Sequence, residues 1–360
     1  MIRRPLRILV VDDTVLYRKV LSETLAQIPD VEVVGTAING KIALSKIVQL
    51  QPDMLTLDFE MPEMDGLEVL RQVRILHPNL KVVMVSAHTK EGAAVTLKAL
   101  ELGALTFITK PDCNNPLESR DALLSQLTPI VQEIAARTLL TQSVSDSDHP
   151  PQQIPNDSTI KNRPHTLPSS RIQVVAIGIS TGGPNALAEV IPLLPKNLPV
   201  PVVIVQHMPT HFTAVLAETL NQKSALNVVE AVDSMPLEFG TVVLAPGGKQ
   251  MRVVNKSGKP HIEINDDPPE NHCQPSADYL FRSISQVYGS AALGVIMTGM
   301  GADGTLGLRL MKRKGAQVIA QDEQSCVVFG MPGEAINAGV VDLIVPLNQI
   351  ANEITKRVRT

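Results

Sequence analysis

Short apolar runs alternate with longer stretches of helical spacing over most of the chain. Leu6–Val11 reads as a strand, Val15–Gln27 has the spacing of a helix, and Val31–Ala37, Met54–Leu57, Lys81–Val85 and Thr106–Ile108 read as further strands with helical segments between them. Such alternation predicts a parallel sheet with helices on both faces, and wholly apolar strands such as Val82–Val85 suit a sheet covered on both sides. The pattern lapses between Thr141 and Ser170, where Pro150, Pro151, Pro155, Pro164 and Pro168 are set among Ser, Asp and Asn. A segment so poor in large apolar residues cannot offset its ordering entropy, and it predicts a flexible linker. The alternation resumes at Arg171. Strands are expected at Gln173–Ile177, Val202–Val205, Ala292–Met297 and Ala316–Ala320, with helices after Pro184 and over Thr213–Leu220, Ser276–Val287 and Gly304–Lys314. Thr241–Ala245, Met251–Val254 and His261–Ile264 read as shorter, hairpin-type strands. The expectation is an α/β protein of two doubly wound parallel-sheet domains, residues 1–128 and 171–360, joined by a linker at 129–170.

Composition narrows the function classes. The 360 residues carry a net charge of −4, and aromatics make up 2% with no Trp. Neither a basic excess nor base-stacking platforms are present, so nucleic-acid binding is not expected. Cys113, Cys273 and Cys326 are few, odd in number and far apart, which indicates neither a disulfide framework nor a zinc ribbon. Asp12 and Asp13 interrupt the first apolar stretch, so it does not read as a signal peptide. No run reaches the ~18 apolar residues of a membrane span. The expectation is a cytoplasmic protein that is not membrane-inserted.

Two constellations carry chemistry. Asp12 and Asp13 end the first strand, Asp58 the third, Ser86 the fourth, and Lys110 with Pro111 follows the fifth. In a doubly wound sheet these strand ends share one edge, where ligands bind. Three close carboxylates repel, so a divalent cation is expected there, and oxygen ligands favour Mg²⁺. Asp58 is then a candidate nucleophile toward phosphorus, with Ser86 and Lys110 placed to contact a phosphoryl group. Any one of these residues alone would more often be a turn or cap residue; the set is more specific.

The second constellation begins at Gly178-Ile-Ser-Thr-Gly-Gly183, a G-x-S-x-G-G run between a strand and a helix. Such a turn lifts a serine hydroxyl above a sheet edge, although a glycine-rich loop can equally cradle a phosphate. No Gly-Lys-Ser/Thr follows, so it is not a P-loop. His207 ends the next strand and is a candidate base for Ser180; a core or cap histidine is the plainer alternative, and a metal pair with His211 the other. Asp303 in Thr298-Gly-Met-Gly-Ala-Asp-Gly304 is a candidate to orient the imidazole, or a helix N-cap. Asp233, Asp322 and Asp342 are rivals in ordinary turns. The order Ser, His, Asp differs from that of α/β-hydrolases.

Val10–Asp13, Leu57–Gly66, Ser86 and Lys110-Pro111 resemble a two-component receiver domain over about residues 5–128. GISTGGP, VQHMP, TGMGADG, PSADYLFRS and FGMPGEAINAG resemble the catalytic domain of chemotaxis protein-glutamate methylesterases over about 171–350. The resemblance implies a flavodoxin-like receiver and a Rossmann-like Ser-His-Asp hydrolase. It implies phosphorylation of Asp58 by a chemotaxis histidine kinase. Mg²⁺ would be held by Asp12, Asp13, Asp58 and the Glu60 carbonyl, and Phe107 would occupy the switch-aromatic position. It implies catalysis by Ser180, His207 and Asp303, with Met300 a candidate oxyanion donor and no cofactor in the catalytic domain. The implied substrates are glutamyl methyl esters of methyl-accepting chemoreceptors, with glutamine deamidation as a second activity. Phosphorylation would relieve blockage of the hydrolase edge by the receiver. Gln274 departs from the family, where a basic residue is common. Two other readings are a receiver-controlled esterase acting on a non-receptor substrate and a non-enzymatic, phospho-regulated binding module.

Overall fold

The structure, a computed structural model, describes residues 4–87, 89–111, 116–145 and 171–359. In chain order the first elements are β1 (Leu6–Val11), α1 (Val15–Leu25), β2 (Val31–Ala37), α2 (Gly40–Leu50), β3 (Met54–Asp58), α3 (Gly66–Leu76), β4 (Lys81–Ser86), α4 (Lys90–Glu101), β5 (Thr106–Thr109) and α5 (Pro116–Ser145). They are followed by β6 (Val174–Ile179), α6 (Gly183–Val190), β7 (Val202–Gln206), α7 (Phe212–Lys223), β8 (Asn227–Glu230), β9 (Thr241–Leu244), β10 (Gln250–Lys256), β11 (Lys259–Asn265), α8 (Ala277–Tyr288), β12 (Ala292–Ile296), α9 (Thr305–Arg313), β13 (Gln317–Gln321), α10 (Gly330–Asn337), β14 (Leu343–Val345) and α11 (Leu347–Arg359). The chain divides into two compact units.

The first unit carries a parallel five-stranded sheet in the order β2-β1-β3-β4-β5. This is the flavodoxin-like arrangement, whose strand order reverses between β1 and β3. Every residue of β3 is buried, as a sheet covered on both faces requires. Helix α5 runs on through Ser145, so the sequence-assigned linker is helical over its first part. Residues 146–170, like Cys113, lie outside the described residues.

The second unit carries a seven-stranded parallel sheet in the order β14-β13-β12-β6-β7-β9-β8. Its first strand, β6, is central and wholly buried, and the order reverses between β6 and β12. One expectation needs correction. Of the three segments only β10 and β11 pair as a hairpin, turning at Ser257 and Gly258 with φ of 52° and 82°, as a two-residue primed turn requires. Strand β9 instead lies between β7 and β8 in the main sheet. Its four residues Thr241-Val-Val-Leu244 are all buried, a pattern that belongs to a two-sided sheet and not to a surface ribbon. Among the described residues no helix is long and apolar enough to cross a membrane.

Candidate functional site

Each sheet brings its polar residues to the carboxyl edge beside its switch point, the usual place for a ligand in open α/β sheets. On the first sheet, Asp12 and Asp13 follow β1, while Asp58 and Ser86 end β3 and β4. Oxygens of Asp12, Asp13 and Asp58 lie within 4.8 Å of one another. Lys110, after β5, places Nζ 2.7 Å from Asp58 Oδ2 and 3.0 Å from Asp12 Oδ2, with the Tyr17 ring 4.7 Å away. Burial pushes the Asp58 carboxyl up to about 6, and the Lys110 ammonium pulls in the opposite direction without prevailing. Asp12 and Ser86 are buried, Asp13 and Glu60 exposed, and Phe107 half-buried on β5. Arg18, which the sequence reading did not single out, donates to the carbonyls of Asp12 and Asp13 at 2.8 and 2.7 Å and fixes the acidic turn. Gly66 packs so closely that a Cβ there would lie 2.2 Å from the Asp58 carbonyl oxygen.

The all-oxygen donor set around a buried carboxylate fits a hard divalent cation, because such a cation would stabilise the ionised Asp58 that burial disfavours. Lys110 supplies part of that compensation.

On the second sheet, Ser180 follows β6 and His207 follows β7. Ile179 and Gln206 are paired in register, and His207 N donates to Ile179 O at 3.1 Å, so the two residues leave adjacent strands side by side. The Ser180 turn is held by its own N–H donating to Thr298 O at 2.9 Å and by Gly183 N donating to Ser180 O at 2.8 Å. Gly182 takes a φ of 79° before α6, a conformation that glycine adopts without steric cost.

Asp303 lies in the loop after β12 and is 2% exposed. Its Oδ2 is 2.8 Å from His207 Nε2 and accepts from Ala277 N at 2.6 Å. Its Oδ1 accepts from Ser276 Oγ, Asn271 Nδ2 and Asp278 N at 2.8, 3.0 and 3.1 Å. The carboxylate thus sits on the N-terminus of α8, where free N–H groups and the helix dipole favour an anion. Gly304, not Asp303, is the cap residue of α9. Burial alone would raise Asp303, but bonds from His207, Ala277 and Asn271 outweigh it and hold the carboxyl at about 2. Burial alone would lower His207, but Asp303 and Cys273 outweigh it and push the imidazolium up to about 9.

With Nε2 donating to Asp303, Nδ1 is the nitrogen left with a lone pair. Among the described residues the Ser180 hydroxyl makes no hydrogen bond to the ring, and Nδ1 faces Cys273 Sγ at 3.6 Å. Catalytic contacts of this kind commonly tighten only with substrate bound. The oxyanion candidate Met300 is half-buried in the same loop. Among the described residues its N–H has no acceptor, whereas those of Ser180, Gly299 and Met331 are engaged. The rival aspartates hold turns instead: Asp322 accepts from Ser325, Asp342 from Lys312 and Val318, and Asp233 from Ser234 and Ile264. His211 is not part of the cluster that joins His207, Cys273 and Asp303. Gln274 is half-buried and donates to Asp267 O at 2.9 Å. Gln206, Asn271, Ser276 and Cys273 complete the surroundings and were missed, although Ser276 lies in the PSADYLFRS run.

The family described as CheB methylesterase matches residues 175–354, and the response regulator receiver domain family matches residues 8–120. A protein of Desulfotalea psychrophila named protein-glutamate methylesterase/protein-glutamine glutaminase is 46% identical over 98% of this chain and 99% of its own. A protein of the same name from Bacillus subtilis is 43% identical over 98% of this chain and 99% of its own. The solved CheB methylesterase catalytic domain of Thermotoga maritima is 40% identical, covers 52% of this chain and 99% of its own, and superposes with a TM-score of 0.51.

Proposed function

We propose that this chain, which belongs to the CheB methylesterase family and carries an N-terminal receiver domain, is a phosphorylation-activated protein-glutamate methylesterase and protein-glutamine glutaminase. Its substrates are glutamyl methyl esters of methyl-accepting chemoreceptors, and its output is chemotactic adaptation in the cytoplasm. Residues 1–128 form the receiver, 129–170 the connection and 171–360 the hydrolase. The observation that carries the reading is the buried, fully bonded Asp303 on His207 Nε2, at the edge where Ser180 leaves β6.

In this assignment Ser180 Oγ attacks the ester carbonyl and His207 Nδ1 takes its proton. The oxyanion is met by N–H groups of the glycine-rich turns, Met300 among them. Asp303 keeps the Nε2–H tautomer and stabilises the imidazolium. The proton passes to the leaving methoxide and methanol departs. Water, deprotonated by the same nitrogen, then frees the glutamate. With a glutamine side chain, ammonia leaves in place of methanol.

In the receiver, Asp58 Oδ attacks the phosphoryl group of a chemotaxis histidine kinase, and Lys110 and Ser86 contact the transferred group. Mg²⁺ would be held by Asp12, Asp13, Asp58 and the Glu60 carbonyl, where it supplies neutralising charge. Phe107 changes position with the phosphorylation state.

The test is methanol release from methyl-labelled receptor membranes, for the wild type and Ser180→Ala, with and without acetyl phosphate and Mg²⁺. Release that requires Ser180 and rises with the phosphodonor is expected. A wild type that takes up phosphate yet releases no methanol overturns the reading.

A further inference from the structure

The loop before α8 sets a thiol against the base. Cys273 Sγ lies 3.6 Å from His207 Nδ1, and ligand atoms of His207, Cys273 and Asp303 fall within 4.8 Å of one another. Cys273 is only half-buried, so a solute ion can reach it. We propose that Cys273 and His207 form a chelating site for a thiophilic divalent cation of the zinc type, and that a cation bound there silences the hydrolase.

The first argument is distance. Zinc bonds of about 2.3 Å to sulfur and about 2.0–2.1 Å to nitrogen, set at a tetrahedral angle, place the two donor atoms about 3.6 Å apart. That matches the separation observed between Sγ and Nδ1. The second argument is what lies behind the ring. A metal-ligating histidine almost always gives its other N–H to a carboxylate, which fixes the tautomer and raises ligand basicity. Asp303 already holds Nε2 at 2.8 Å, and its remaining acceptor sites are filled by Ser276, Ala277, Asp278 and Asn271. The third argument is rigidity. Cys273 N donates to Glu270 O at 2.8 Å, Glu270 N donates to Cys273 O at 3.1 Å, and Gln250 Nε2 adds a bond to the same carbonyl at 3.3 Å. These bonds fix the Cys273 backbone, and the thiol itself donates to Asn271 O at 3.4 Å.

Donor softness separates this site from the receiver site. A thiol and an imidazole suit zinc, whereas the three carboxylates around Asp58 suit Mg²⁺. Two protein ligands leave two positions for water, so binding is reversible and weaker than in a four-ligand structural site. On binding, the thiol proton and, below about pH 9, the proton on Nδ1 are released to solvent as the sulfur–metal and nitrogen–metal bonds form. The Nδ1 lone pair is the acceptor for the Ser180 proton, so the cation opposes catalysis. Only this consequence rests on the methylesterase reading; the binding does not.

The experiment uses the full chain with Co²⁺ as a spectroscopic probe and Zn²⁺ as an inhibitor. Co²⁺ is expected to give a thiolate charge-transfer band that Cys273→Ala abolishes and that Cys113→Ser and Cys326→Ser retain. A band indifferent to Cys273→Ala, or no band, overturns the site. Zn²⁺ at about 10–100 μM is expected to lower ester hydrolysis about tenfold, reversibly with a chelator, while Cys273→Ala needs at least about tenfold more. Equal inhibition of both proteins overturns the proposal. A Cys273-dependent band with undiminished hydrolysis keeps the site but overturns the silencing, and with it His207 as the base.

Discussion

His207 Nε2 lies 2.8 Å from Asp303 Oδ2, and this contact decides which ring nitrogen can act. A carboxylate can only accept, so Nε2 carries the proton and Nδ1 is left basic. Asp303→Asn presents an amide that can donate to Nε2 and so stabilise the opposite tautomer. The expected result is a fall in kcat of about 10⁴-fold with KM nearly unchanged. Steady-state methanol release checks it; a kcat within tenfold of the wild type would remove Asp303 from the mechanism.

The same contact sets a pH dependence. His207 is pushed up to about 9, as its bonds to Asp303 and Cys273 overcome burial. The base must be neutral, so kcat/KM should climb with pH toward about 9 and not level off near 6.5. Cys273→Ala removes one raising partner, and the midpoint should move down. Stability runs the other way. A folded value above the unfolded one stabilises fully below about 6.5, and that contribution is lost as pH rises through about 9. Thermal unfolding of the wild type and of His207→Ala across this window should converge as pH rises.

Gly299 tests the packing under the nucleophile. A Cβ at this position would lie 2.7 Å from Ser180 Cβ and 2.4 Å from the Met331 sulfur, and Met331 is fully buried. Neither neighbour can yield cheaply. Gly299→Ala is expected to cost about 1–3 kcal/mol of stability, and to lower kcat about 10²-fold through displacement of the hydroxyl. Urea unfolding read beside methanol release separates the two effects. Full activity in the folded fraction would show that the turn tolerates the shift.

Lys110 spans two buried carboxylates, Asp58 and Asp12. Lys110→Met leaves them facing each other without a cation. Breaking a buried pair from one side costs about 3–5 kcal/mol, so Tm should fall, and Mg²⁺ should restore more of it in the variant than it adds to the wild type. A Mg²⁺ response equal in both proteins would separate Lys110 from the acidic site. Asp58→Ala should abolish uptake from acetyl phosphate together with the stimulation of hydrolysis.

The parallel strands and the polar residues at their ends were legible because both follow from local pattern. Val202–Val205 reads as a buried strand from its own apolar run, and His207 is then at a sheet edge by counting. Strand β9 was not legible in the same way. Its buried run identifies a strand but does not say which neighbours it takes, and that is settled by tertiary packing. The short β8 and β14, of four and three residues, fall below the length at which periodicity speaks. Asn271, Ser276 and Cys273 reach the site through a loop 25 or more residues before Asp303, and no spacing rule links the two segments.

Gln206 shows how a positioning residue hides in a strand. It ends an apolar run and is 2% exposed. Its Nε2 donates to Ser180 O at 3.0 Å and His207 O at 3.1 Å, so one side chain ties together the backbones of nucleophile and base. Gly183 makes room for it, since a Cβ there would lie 1.8 Å from Gln206 Oε1. Gln206→Leu fills a similar space but cannot donate. Ser180 O keeps its bond from Gly183 N, so the loss falls on His207 O and costs about 1–3 kcal/mol, which alone would lower Tm. If the amide also holds Ser180 and His207 in register, kcat should fall about tenfold or more in the folded enzyme while KM and the pH midpoint stay in place. Gln206→Asn, whose amide is shorter by one methylene, should recover little. A lower Tm with undiminished kcat would make Gln206 a stabilising bridge and nothing more.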